Sequence, residues 1–139
     1  MVSLTNVFRI GLLSVVLATG FAGEAVAQAR RKIVFANDCR RPVQLMVYHA
    51  DAYRNWHPHG WYKFDAYETY SYIRSSGVIL TQLEDHNLYF YAETTDGGSI
   101  LRWQGSGPEV TYQGGTYRTT NANTFVNSDG DIAIRLTCP

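Results

Sequence analysis

The chain has 139 residues, of which 45% are apolar, 14% aromatic and 17% charged. That balance excludes a disordered chain, and the length suits one domain. Twelve Lys and Arg offset twelve Asp and Glu, so the positive excess that nucleic-acid binding requires is missing and no nucleic-acid partner is expected.

In chain order, residues 1–27 read as an export signal. Arg9 precedes an apolar run, 10–22, and small residues follow as far as Ala25-Val26-Ala27. Charge, apolar core and A-x-A is the order of a secretory peptide, so cleavage is expected after Ala27, with Ala29 as second choice. The apolar run is shorter than the roughly 20 residues a spanning helix needs, so no membrane span is expected after cleavage. No cysteine stands at the cleavage site to carry a lipid, and Arg30-Arg31 follows the apolar run, which does not fit a twin-arginine signal. Removing 1–27 takes away Arg9 and Glu24 and leaves the charge balanced. The remaining domain, 28–139, is expected to be secreted or periplasmic.

Its two cysteines, Cys39 and Cys138, allow one pairing, and an oxidising compartment favours it. Such a bond closes nearly the whole domain, and chain entropy assigns about 4–5 kcal/mol to a loop of that size. If Cys39 ends the first strand and Cys138 the last, the terminal strands should be neighbours.

The periodicity of 28–139 is two. Segment 32–37 sets Ile33 and Phe35 on one side. Segment 43–50 sets Val43, Leu45 and Val47 against Met46 and Tyr48. Segments 61–65, 68–74 and 78–80 are short, and 50–60 reads as a loop because Pro58 and Gly60 interrupt it. Segment 87–94 sends Leu88, Phe90 and Ala92 inward and Tyr89, Tyr91 and Glu93 outward. Segments 100–104, 116–120 and 124–127 follow, and 131–137 alternates most cleanly, with Ile132, Ile134 and Leu136 on one face. Asp96-Gly97-Gly98, Gly114-Gly115 and Asp129-Gly130 supply tight turns. These features predict an all-β fold, an antiparallel β-sandwich or flattened barrel of about eight or nine short strands, held by one disulfide.

Segment 48–72 holds nine aromatic residues and His49, His57 and His59, three of the four histidines. A loop rich in Trp, Tyr and His on a strand scaffold suits a contact surface. The candidate binding residues are Trp56, His57, His59, Trp61 and Tyr62, with Tyr89, Tyr91 and Trp103 second. If the Tyr70/Tyr72 side and the Tyr89/Tyr91 side coincide, they form a platform for stacking on sugar rings or peptide side chains. The competing reading is a small core whose tyrosine tips reach water.

His57-Pro58-His59 has the i, i+2 spacing of a strand metal pair, but Pro58 argues for a loop and Lys63 stands where a cupin-like site would want an acid, so no metal is expected. Asn127, Asp129, Gly130 and Asp131 do not match a calcium loop, since Leu136 occupies the place of the closing Glu; a hairpin turn explains them better. There is no G-x-S-x-G elbow and no phosphate-cradling glycine loop. Neither a catalytic residue nor a cofactor is expected; the alternative is a hydrolase of envelope polymers with Glu93 or Glu68 as the acid.

The order of motifs carries a resemblance. Ile33-Val34-Phe35-Ala36-Asn37, a Val-rich strand ending in Tyr48, Trp56, Gly60-Trp61-Tyr62, Leu88-Tyr89-Phe90-Tyr91-Ala92-Glu93 and Trp103-Gln104-Gly105 together resemble the small secreted bacterial proteins of domain-of-unknown-function family 1036. In that family a W…GWW segment precedes a YYYAE-like strand and a WxG, and related modules are sometimes fused to caspase-like peptidase domains. The likeness spans about 33–138. The family's Pro-Gly-Glu-Cys after the GWW strand is replaced here by 65–69, DAYET, so a disulfide through that cysteine is absent. The resemblance implies an exported β-domain and no reaction. The expected function is therefore a binding or interaction module of the bacterial cell envelope, its partner a glycan or a protein; a structural or assembly role through exposed strand edges is the third reading.

Overall fold

The computed structural model describes residues 29–139; the expected export signal, 1–27, lies outside the described residues. Alternating apolar residues pair into two principal sheets, and there is no helix among the described residues. Three long strands come first: β1 (Arg30–Asn37), β2 (Val43–Ala50) and β3 (Trp56–Phe64). Short ones follow, β4 (Ser71–Tyr72), β5 (Arg74–Ser75), β6 (Val78–Ile79) and β7 (Thr81–Leu83). Then come β8 (Tyr89–Thr94), β9 (Arg102–Trp103), β10 (Glu109–Tyr112), β11 (Gly115–Arg118), β12 (Thr124–Val126) and β13 (Ile132–Leu136). Thirteen strands replace the eight or nine expected, because β4, β5, β6 and β9 have two residues each, too few to show any period.

One sheet runs β12-β13-β1-β4, with β7 also on β1; the other runs β3-β2-β8-β9. Their facing sides share one core. Ile33 and Phe35 of β1, and Ile132, Ile134 and Leu136 of β13, meet Val43, Leu45 and Val47 of β2 and Phe90 and Ala92 of β8. The inward and outward sets read from β2, β8 and β13 are those observed, because a period-two strand half-buried in a sandwich has one register that hides its apolar side.

The first and last strands pair, as the cysteines predict, but in parallel, with Ile33 opposite Ile132 and Asn37 opposite Leu136. This departs from a purely antiparallel sandwich. Both cysteines lie just past the C-terminal ends of their strands, and a bond between two such ends aligns the strands. Cys39 and Cys138 are joined, with Cα atoms 4.8 Å apart. Asn37 secures the corner: its amide donates to the carbonyls of Arg41 and Asp65, both at 2.9 Å, and its Oδ1 accepts from the Cys39 N–H.

The three turn signals connect β8 to β9, β10 to β11 and β12 to β13. In the second, the turn residues are Gln113 and Gly114, one position earlier than expected; both have positive φ, the geometry of a two-residue hairpin. Ser76-Gly77 turns β5 into β6 in the same way.

Segment 50–60 is the principal correction. Only its first part is a loop, and strand β3 begins at Trp56 and runs through Pro58 and Gly60. β3 lies at the edge of its sheet, where a proline lacking an N–H is tolerated. Gly60 and Trp61 together face the single residue Met46, since Leu45 pairs with Tyr62 and Val47 with His59. This bulge re-phases the strand. Trp56 and Trp61 are five apart and would otherwise face opposite ways; the additional residue sends both outward and sends His59, Tyr62 and Phe64 inward. A Cβ at Gly60 would lie 2.9 Å from the Leu45 carbonyl oxygen and 3.1 Å from the Met46 Cα. Gly60→Ala should therefore cost about 1–3 kcal/mol of stability in a urea titration; an unchanged midpoint would show that β3 can withdraw from β2.

Candidate functional site

The outer face of the four-stranded sheet carries a row of aromatic residues set by strand alternation. Tyr48 of β2 stands directly opposite Tyr89 of β8, and Trp56 stands opposite Ala50 at the start of β3. The Trp56 ring lies 5.1 Å from that of Tyr48, tilted 36°, and 5.8 Å from that of Tyr89, tilted 47°. Pro108 supplies the far wall, so Tyr48, Trp56, Tyr89 and Pro108 enclose an open notch of about 140 Å³. The His86 ring backs Trp56 at 6.1 Å, and the Asn87 amide donates to the Tyr89 hydroxyl at 3.4 Å. Such a notch can hold a ring with apolar faces and leave its edges to the tyrosine hydroxyls.

Pro108 comes from far along the chain. The β10–β11 hairpin folds over the middle of the same face and covers Trp61 and Tyr91, with Met46, Val110, Tyr112 and Tyr117 packed around them. Trp61 and Tyr91 both meet the Tyr117 ring, at 5.0 Å and 4.9 Å, and Tyr112 donates its hydroxyl to the Gly60 carbonyl at 2.6 Å. The Pro108 carbonyl accepts from the Thr119 hydroxyl at 2.6 Å and from its N–H at 3.1 Å, which fixes the wall.

The outward end of this face is polar. Glu93 accepts from the Gln44 amide on one oxygen, at 2.7 Å, and from the Tyr91 hydroxyl on the other, at 2.8 Å. Burial, and then the bond to Glu93, pushes the Tyr91 hydroxyl up to about 12. Glu68, on a different part of the fold, accepts the Asp65 N–H.

The candidates read from sequence thus fall into four places. Trp56 and Tyr89 share the notch. Trp61 and Tyr91 lie under the hairpin. Tyr62 and Trp103 turn inward against the main core. His59 turns inward at the end of the sandwich, beside His49, while His57, on the same side of β3, stays exposed and bonds Asp51. The Tyr70/Tyr72 side does not join the Tyr89/Tyr91 side, since β4 pairs with β1 in the other sheet. Tyr70 and Tyr72 instead line a separate groove with Asp129 and Asp131. There Asn127 Oδ1 accepts the N–H groups of both aspartates, and Tyr72 donates to Asp131, which is the local bonding of a hairpin turn.

At the histidine end, His49 stands opposite His57. Its Nδ1–H donates to the Thr81 carbonyl at 2.8 Å, so Nε2 carries the lone pair, and that atom is buried without a partner. Burial is the main cause that lowers the His49 imidazole to about 4, with His59, Arg30 and His57 adding to it. His59, 5.0 Å away ring to ring, is also lowered, by burial and then by His57. His57 donates from Nε2 to Asp51 at 2.8 Å. Arg30 braces the corner, donating to the carbonyls of Ala50, Asp51 and Thr81 and to the Thr81 hydroxyl. Among the described residues no three His, Cys, Asp or Glu side chains are arranged to hold a metal ion.

Tyr48, His86 and Pro108 were not among the candidates. Tyr48 had a signal, its place on the outward side of β2 in line with Met46; Pro108 had none, because its place follows from how the hairpin folds back. No family model, no curated protein and no solved structure matches this chain.

Proposed function

We propose that this chain is an exported binding module, of the family 1036 type, that docks a sugar ring of a bacterial envelope glycan in the Trp56 notch. The observation that carries the reading is the notch itself: three aromatic residues from three strands and one proline around an open volume, with the Asn87 amide bonded to the Tyr89 hydroxyl. Aromatic faces stack on the C–H face of a pyranose, and the rim groups take its hydroxyls. A proline-bearing peptide is the other ring the notch would accept.

The test is binding of the processed protein to purified envelope polysaccharide and, separately, to proline-rich peptides. Trp56→Ala should weaken glycan binding about tenfold or more, as loss of a central aromatic anchor does, and leave the thermal midpoint within a few degrees. Trp61→Ala is unsuitable as a partner variant, because that ring is packed beneath the hairpin. Glycan binding equal to wild type in Trp56→Ala would overturn the reading, and peptide binding alone would replace glycan with protein. A second reading, assembly through a strand edge, draws on β12, which ends its sheet with Phe125 and Val126 exposed; concentration-dependent sedimentation abolished by Phe125→Lys would favour it.

A further inference from the structure

The notch and the histidine corner are two faces of one strand segment. Residues 56–59 present Trp56 outward to Tyr48 and Tyr89 and set His57 and His59 on the other side, where His59 packs against His49 and His57 stands opposite it at the exposed end. Ala50, the pairing partner of Trp56, follows His49 directly. Whatever displaces His49 therefore displaces the ladder that holds Trp56.

His49 is built to stay neutral. Its Nδ1–H is committed to Thr81, so a second proton can enter only at Nε2. That atom is sealed from water and has no acceptor. The groups facing the ring from the surrounding elements are Arg30 of β1, His57 and His59 of β3 and the Thr81 carbonyl of β7. The nearby carboxylate, Asp51, is already taken by His57 and by the N–H groups of Tyr53 and Asn55. A proton on Nε2 would thus create a buried cation beside a guanidinium and two imidazoles. A buried charge without a partner is expelled, or the surrounding structure opens to water. Arg30 and Gln82 anchor the β2 side: the buried Gln82 amide accepts the N–H groups of Ala50 and Leu83 and donates to the Asn87 carbonyl. β3 lies at the sheet edge and pairs on one side only, with β2, so opening of this corner is a displacement of β3.

We propose that protonation of His49 opens the β2–β3 end and unseats Trp56, so that the notch is formed at neutral pH and dismantled in acid. The proposal rests on the notch being the binding site, and it concerns regulation of that site. Its direction follows from charge alone: acid adds positive charge to a corner that already holds Arg30 and has no free acid to receive more.

The test separates the opening from the binding. The indole N–H resonances of Trp56, Trp61 and Trp103 are followed by NMR between about pH 7.5 and about pH 3. The Trp56 signal, with the amides of 49–57, should shift or broaden, while those of Trp61 and Trp103 persist. With His86→Asn as the common background, because the His86 ring also abuts Trp56, His49→Asn keeps a donor for Thr81 and removes the titrating nitrogen, so its Trp56 signal should stay constant over the same range. If that variant does not fold, the His49 ring nitrogens of the wild-type protein are followed directly; Nε2 protonation should coincide with the Trp56 change. A Trp56 signal indifferent to pH, a change retained in His49→Asn, or simultaneous loss of all three indoles overturns the proposal. Glycan binding should fall about tenfold in acid for wild type and not for His49→Asn. Unchanged binding in Trp56→Ala, by contrast, refutes the notch reading while leaving the resonance result standing.

Discussion

Replacing both cysteines, Cys39→Ala with Cys138→Ala, should cost about 4–5 kcal/mol of stability. The bond spans a sequence separation of 99, so the reduced unfolded chain recovers the freedom of almost the whole domain. The native state also loses an aligning tie. β1 and β13 form a parallel pair, and parallel neighbours must be brought together by a long connection, which here is everything from β2 to β12. Without the bond, closing that connection falls to the five paired positions and the core beneath them. Guanidinium titration of the double variant against wild type measures the loss. The slope of stability on denaturant should rise, because the unlinked unfolded chain exposes more surface. A loss below about 1 kcal/mol would mean that the unfolded chain keeps the terminal strands together without the bond.

The second large effect is acid destabilisation through His49. Its folded imidazole titrates at about 4 against 6.5 for the unperturbed group. As pH falls, the unfolded chain binds the proton first, so folding becomes less favourable. The contribution is fully present above about pH 6.5, erodes as pH drops toward 4, and levels off below. At 1.36 kcal/mol per pH unit the full loss is on the order of 3 kcal/mol, less wherever local opening exposes the ring at smaller cost. Other carboxylates also weaken the fold in acid, so the measurement is a difference: urea stability at neutral and at acid pH, for wild type and His49→Asn. The variant should lose about 2–3 kcal/mol less than wild type between the two. Parallel pH profiles would remove His49 from the account.

The first of these effects was legible in the sequence; the second was not, because it depends on how the fold buries His49. The cysteine pair was readable because two cysteines admit one pairing, and its position beyond two apolar runs placed the terminal strands together. The inward sets of β2, β8 and β13 were readable because each strand alternates without interruption. β3 was not. Pro58 and Gly60 are loop residues by local preference, yet an edge strand tolerates the proline and the bulge uses the glycine's lack of a side chain against β2. The bulge also sets which of the aromatic residues share a face, so it separated Trp56 from Tyr62 and put His57 and His59 on the side away from Trp56. Two-residue strands lie below what periodicity can detect. The β10–β11 cap was recognisable as a hairpin from its glycine turn, but not its docking place, which depends on Tyr112 and Tyr117 meeting Gly60 and Trp61 across the fold. For that reason Trp61 and Tyr91 read as exposed contacts, and Pro108 went unseen.

The proposed ligand face is the outer side of the β3-β2-β8-β9 sheet at Trp56. The most direct measurement is an NMR titration of isotope-labelled protein, residues 28–139, with soluble envelope oligosaccharides at neutral pH. Saturable shifts should centre on the Trp56 indole and on the amides of Tyr48, Tyr89 and Glu109. Shifts centred instead on Tyr70, Tyr72 and Asp131, on the opposite sheet, would contradict it.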